Sequence, residues 1–197
     1  MLRPFDAFVY GRGLCFGMAV AALTYFPDRV AGILRPPLVE LPLTPGLLAM
    51  LRKYHLYQFG PRAILATVRY WIASGGGSSE HVLERLHLVG ESPDPHVLCF
   101  VPAINQRFFS CLIRAHAVVP YRVEEGRVYV YDPNYPKDRE RFVEFWRDDV
   151  GRCVGFEYEG FSSREGWGIT LVSRAPLPLI PRLAVRNGTW ESGRGAR

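Results

Sequence analysis

Cysteine is scarce in this chain and spaced badly for a framework. The 197 residues hold four, Cys15, Cys99, Cys111 and Cys153. No two stand two to four residues apart, as a structural zinc site needs, so no metal is expected. Nor do they form the dense pattern of a disulfide-stapled secreted domain. Free thiols in a reducing, cytoplasmic compartment are the expectation. Long hydrophobic runs are missing as well. The longest, 13 to 26, falls short of the roughly 20 residues that span a bilayer, so no membrane insertion is expected. Asp6 and Arg12 interrupt the approach that a signal peptide would need. Internal repeats and nucleic-acid motifs are absent, so nucleic acid is not an expected partner. "GRGLCFG" lacks the spacing and the preceding βαβ unit of a dinucleotide fingerprint. The neighbouring acids Asp148 and Asp149, like Glu124 and Glu125, point apart on a strand, which speaks against a glycosidase pair.

What is present describes a folded chain. Apolar residues make up 48% and aromatics 13%, far from the disordered class and enough for a sizeable core. The formal charge is +5, carried mostly by dispersed arginines, as on a soluble basic surface with a mild preference for acidic partners. The first half has helical periodicity and the second half has strand periodicity. That segregation predicts an α+β fold rather than alternating α/β. A single domain over 1–175 is expected, helical over about 10–90 and sheet over about 95–175. A proline-rich and then polar tail follows over 176–197.

In the first half, Met18, Ala21, Ala22 and Tyr25 recur at helical spacing from Cys15, and Pro27 marks an end. Thr44 and Pro45 form an N-cap and first-turn pair for a second helix through about His55. Ile64, Leu65, Val68 and Ile72 make one face of a third, over 61–73. Ser79 caps a fourth. Then "HVLCFVPA", "LIRAHAVVPYRV", "RVYVYD", "RFVEFW", "RCVGFEYE" and "WGITLVS" follow as mainly antiparallel strands parted by turn residues. The aromatic series Tyr129, Tyr131, Tyr135, Phe142, Phe145 and Trp146 suits either a groove lining or a core.

Cys15 opens the first predicted helix. A helix N-terminus and a nearby imidazolium both favour thiolate, the form a nucleophilic cysteine needs. Free cysteine is also among the most buried residue types, so the thiol needs a histidine before chemistry can be assigned. Of five histidines, His55, His81 and His87 fall in helical segments with polar surroundings, where surface roles are expected. His96 starts a strand. His116 sits inside the apolar strand "AHAVVPY", and Asp132 ends "RVYVYD" on the face shared by Val128 and Val130. A buried carboxylate there wants a partner.

The hairpin register decides whether these two meet. A two-residue turn at Glu125-Gly126 pairs Glu124 with Arg127 and turns His116 and Asp132 to opposite faces. A five-residue loop, 122 to 126, pairs Tyr121 with Arg127 and sets His116 opposite Asp132. A Cys-His-Asp site therefore demands the longer loop or a bulge.

"LCFGMA" followed by "HAVVPYRV…VYVYDPNYP" resembles the papain-like cysteine peptidase superfamily, in particular its bacterial C39-like branch. The resemblance covers about residues 10 to 136. It implies a papain-like fold, a nucleophile helix in a helical lobe followed by a mainly antiparallel sheet lobe. It implies Cys15 as nucleophile, His116 as general base and acid, and Asp132 as the residue that orients the imidazole, with Asn134 as alternate third member. The implied activity is thiol-dependent hydrolysis of a peptide or amide bond through an acyl-enzyme, with no cofactor. Acyl transfer on a small molecule and a non-catalytic binding module are the alternatives. The chain departs from the pattern in one respect. Residues 1 to 14 hold no Gln or Asn to serve as oxyanion donor, which leaves the backbone N–H of Cys15 with Gln58, Asn105 or Gln106 as candidates.

Overall fold

The computed structural model describes residues 14–30, 40–61, 64, 65, 68, 72, 79–89, 96–102, 115–173, 184–186 and 189–191. Three helices are defined among them: α1 (Cys15–Val30), α2 (Pro45–Leu56) and α3 (Ser79–Val89). The strands are β1 (His96–Pro102), β2 (His116–Glu124), β3 (Arg127–Tyr131), β4 (Phe142–Arg147), β5 (Cys153–Tyr158), β6 (Phe161–Ser162), β7 (Trp167–Ser173), β8 (Ala184–Arg186) and β9 (Thr189–Glu191). The local signals explain most starts. The Thr44 hydroxyl accepts from the Leu47 N–H at 3.2 Å, with Pro45 in the first turn of α2. Helix α1 starts at Cys15 but continues past Pro27 to Val30, without the one main-chain bond a proline cannot donate.

The papain-like two-lobe fold expected from the resemblance is not what the chain adopts. Strands β1 to β7 form one antiparallel sheet in the order β6-β5-β4-β3-β2-β1-β7, nearly closed like a barrel. The described structure is mostly sheet. Strand β7 returns to pair with β1 along its whole length, from His96↔Ser173 to Pro102↔Trp167. This brings β7 close to β6, at the other end of the strand order. The helices do not make a lobe of their own. Helices α1 and α2 pack on one sheet face, where Phe16, Ala19, Val20, Leu47 and Leu51 meet Val97, Cys99, Ala117 and Val119. Helix α3 covers the other, its Val82, Leu83 and Leu86 packing with Leu98, Phe100, Val118, Val128 and Val130. A strand covered on both sides has no polar face, which is why β1 reads "HVLCFVP" without alternation.

Strands β8 and β9 form a separate antiparallel hairpin in the stretch expected as a tail. Residues 74–78 of the expected "SGGGSS" break, Asn105, Gln106 and Cys111 lie outside the described residues, and Ser79, expected as a cap, is the first residue of α3.

Gly17 sets how closely α2 approaches the start of α1. A Cβ at this position would lie 2.2 Å from the carbonyl oxygen of Leu51 and 3.1 Å from the amide nitrogen of His55. Both are backbone atoms and cannot rotate away. Gly17→Ala is expected to destabilise the protein by about 2–3 kcal/mol through overpacking. Urea unfolding would measure it, and a change below about 0.5 kcal/mol, the scale of a neutral surface substitution, would contradict this packing.

Candidate functional site

The site begins with the β2–β3 hairpin, which uses a tight turn and a bulge together. Glu125 (φ 34°) and Gly126 (φ 86°) both take left-handed conformations, the pattern of a two-residue turn matched to strand twist. Glu124 pairs with Arg127, Val123 with Val128 and Arg122 with Tyr129. The register then slips by one, so that Pro120 pairs with Val130 and Val119 with Tyr131, leaving Tyr121 as the extra residue. Proline has no N–H to give a ladder, which makes Pro120 a natural neighbour for a bulge. One inserted residue reverses the facing of everything beyond it. Continued past Tyr131, the register sets Asp132 beside Val118, on the face that His116 shares.

His116 and Asp132 meet there. The imidazole Nε2 is 3.0 Å from Asp132 Oδ2, and both residues are buried, Asp132 at 1% exposure. Two further donors complete the carboxylate. The Tyr158 hydroxyl donates to Oδ2 at 2.5 Å and the Asn134 backbone N–H donates to Oδ1 at 2.7 Å. The Asn134 side chain is exposed, so Asn134 serves Asp132 through its backbone while Asp132 holds the imidazole. The His116 ring lies nearly parallel to the rings of Phe100, Tyr158 and Phe161, at centroid distances of 6.4, 6.4 and 5.7 Å.

Cys15 approaches from α1. Its Sγ lies 3.9 Å from the carbonyl oxygen of Ala115, the residue before His116. The thiol is half-buried, and it lies near enough to the imidazole to help raise its pKa. With Nε2 held by Asp132, Nδ1 is the nitrogen left for sulfur. Cys15, His116 and Asp132 therefore come together from a helix start, a strand start and a strand end.

The electrostatics follow from these contacts. Burial opposes a charge on His116. The hydrogen bond to Asp132, the nearby Cys15 and the attraction of both groups outweigh it, and the imidazole pKa is pushed up to about 9. Burial likewise opposes the Asp132 charge. The hydrogen bonds from His116 and Tyr158, the attraction of His116 and the Asn134 N–H outweigh it and hold the carboxyl below its usual range. For Tyr158, burial and then the Asp132 carboxylate push the phenol well up, so it stays a donor. Burial, then the nearby Cys15, pushes the Cys99 thiol up. Burial also raises the Cys153 thiol.

Other expected residues fall elsewhere. His55 is buried, not on the surface, and its Nε2 lies 3.0 Å from the Gln58 amide nitrogen. Gln58 is thus engaged with α2 through at least one of its two amide hydrogens. His87 is exposed. Of the aromatic series, Phe145 is core, Tyr129 lies under the Arg122 guanidinium at 3.7 Å, and Tyr135 lies under that of Arg141 at 3.4 Å. Sequence reasoning missed Tyr158. Its available signal was the inward alternation of Phe156 and Tyr158 in "CVGFEY", since a buried phenol needs an acceptor. Among the described residues, no group of three or more His, Cys, Asp or Glu side chains could hold a metal ion. No described helix is long and apolar enough to cross a membrane. No protein-family model, curated protein or solved structure matches the chain.

Proposed function

We propose that the protein is a thiol-dependent hydrolase that cleaves a peptide or amide bond through an acyl-enzyme on Cys15. The observation that carries this reading is the convergence of a half-exposed helix-start cysteine on a buried histidine whose far nitrogen is held by a carboxylate. At neutral pH the imidazole, with its raised pKa, is a cation. A cation and a helix N-terminus beside a sulfur both favour thiolate. The thiolate attacks the carbonyl carbon. The first backbone N–H groups of α1 are free of helical partners and face developing negative charge at that end. The imidazolium gives its proton to the leaving amine, and the neutral imidazole then takes one from the water that releases the acid. Asp132, held in turn by Tyr158 and the Asn134 amide, keeps the ring oriented throughout.

The likeness of "LCFGMA" and "HAVVPYRV…VYVYDPNYP" to C39-like peptidase motifs supports the same chemistry, although the fold is a different one. An amine in place of water would make the same site an acyltransferase. A binding module would need neither the buried charge pair nor the accessible thiol.

A panel of activated acyl esters and peptide amides tests the proposal by intact-mass spectrometry. An acyl adduct on Cys15 that forms within a burst and then decays in steady turnover is the expected result. Cys15→Ala should show neither adduct nor turnover. Acylation that never turns over would favour a binding role, and acylation that persists in Cys15→Ala would reject the assignment.

A further inference from the structure

We propose that Arg141 is a positioning residue for the Cys15 site: its guanidinium clamps the loop that carries Asp132 to the strand end that carries Tyr158, and so fixes the carboxylate against the His116 ring. The inference rests on the hydrolase reading of that site. The loop runs over residues 132–141, between β3 and β4. Asp132 is its first residue, and its Asn134 N–H donates to Asp132 Oδ1. Its backbone makes two successive turns, the Tyr135 N–H donating to the Asp132 carbonyl and the Asp138 N–H to that of Tyr135, each at 3.0 Å. Turns of this kind close a loop on itself and do not tie it to its neighbours.

Arg141 supplies the tie. Its Nε is 3.2 Å from Asp138 Oδ2, its Nη1 is 2.5 Å from Glu159 Oε1, and its guanidinium lies 3.4 Å from the centre of the Tyr135 ring. Glu159 directly follows Tyr158, whose hydroxyl is the other donor to Asp132. One side chain therefore grips two residues of the loop and the end of β5. It is 16% exposed, against 43% for Arg122 and 51% for Arg127, so its ion pairs are the less screened. The backbone works in the same direction. The Arg141 carbonyl accepts from the Val130 N–H at 2.9 Å, and the hydroxyl of Tyr121, the bulged residue, donates to the Arg139 carbonyl. The bulge that turns Asp132 toward His116 is thus fastened to the loop that holds it there. A planar fork can pair with two carboxylates and stack on a ring at once, which an ammonium cannot. A displacement of about 1 Å at a reacting centre costs on the order of 100-fold in rate.

Two readouts on the full chain test the clamp. The first is the rate of Cys15 alkylation by iodoacetamide across pH 5 to 9. Arg141→Gln should shift its acid limb up by about one unit, an about tenfold slower reaction at pH 6. The second is the proton resonance of the His116 N–H that bonds Asp132, expected far downfield in the parent and absent in His116→Ala. Arg141→Gln should broaden or abolish it. Glu159→Gln, which loosens the clamp from β5 and leaves the loop sequence intact, should move both readouts in the same direction. Arg141→Lys should recover only part of each. The proposal is overturned if Arg141→Gln and Glu159→Gln unfold more easily but keep the parent's acid limb and resonance, since that is a purely structural role. Full recovery in Arg141→Lys also overturns it. A parent Cys15 that reacts only above about pH 8, like an ordinary thiol, rejects the hydrolase reading instead, and the resonance then judges the clamp by itself.

Discussion

Replacing His116 with alanine is expected to slow alkylation of Cys15 by iodoacetamide about 100-fold at pH 6, where an ordinary thiol is almost entirely protonated. In the parent chain the imidazole is a cation across the range below about 9 and stands against the sulfur. Removing it leaves the helix N-terminus as the remaining local support for thiolate, an effect of about 0.3–1 kcal/mol at ordinary exposure. Peptide mass spectrometry would read each cysteine separately. Cys99 and Cys153 serve as internal controls, because both are buried and burial raises both thiols. Their slow reaction should not change with the substitution. Equal Cys15 rates in parent and variant at pH 6 would remove the histidine from the chemistry, and the hydrolase reading with it.

Asp132→Ala should cost up to about 3 kcal/mol of stability near pH 6.5, the upper bound set by the free energy that separates an imidazole pKa of 6.5 from one of about 9, a shift to which Cys15 also contributes. The pH dependence gives this prediction its edge. A raised histidine pKa contributes stability that is complete below the unfolded value of 6.5 and fades as pH rises through about 9. The penalty of Asp132→Ala should therefore shrink between pH 6.5 and 9.5, measured by urea unfolding at each. The carboxylate works in the opposite sense. Its folded pKa is lowered, so its contribution is present above the ordinary carboxyl range and is lost only in acid, outside this window. Tyr158→Phe keeps the ring stack with Phe100 but removes one donor to the carboxylate, and should reproduce part of the loss. A penalty that is the same at both pH values would mean that His116 is neutral in the folded protein.

These expectations rest on features of unequal visibility in the sequence. Cys15 at a helix start, the Thr44-Pro45 cap, and the strand segments around His116 and Asp132 were all legible, because each is a local matter of periodicity, capping or turn chemistry. So was the condition on the hairpin, that a tight turn at Glu125-Gly126 brings the two residues together only with a bulge. The structure placed that bulge at Tyr121, beside Pro120. The helical pattern of Ile64, Leu65, Val68 and Ile72 was legible too, but not that this face would stay exposed, since periodicity says which residues share a side and not what that side meets.

By itself, then, the sequence determined where most elements begin, which residue types could carry thiol chemistry, and that they occur in the order Cys, His, Asp. The tertiary structure decided the rest. Pairing of β7 with β1, between segments far apart in the chain, closed the sheet where two lobes were expected. No local pattern encodes such a pairing, because both strands are apolar on both faces and would suit several partners. The pairing of β3 with β4 and of β4 with β5 set Tyr158 where its hydroxyl meets the Asp132 carboxylate. The placement of α1 and α2 on one face and α3 on the other followed from which apolar faces remained to be covered. That placement turned the start of α1, with its thiol, toward the imidazole.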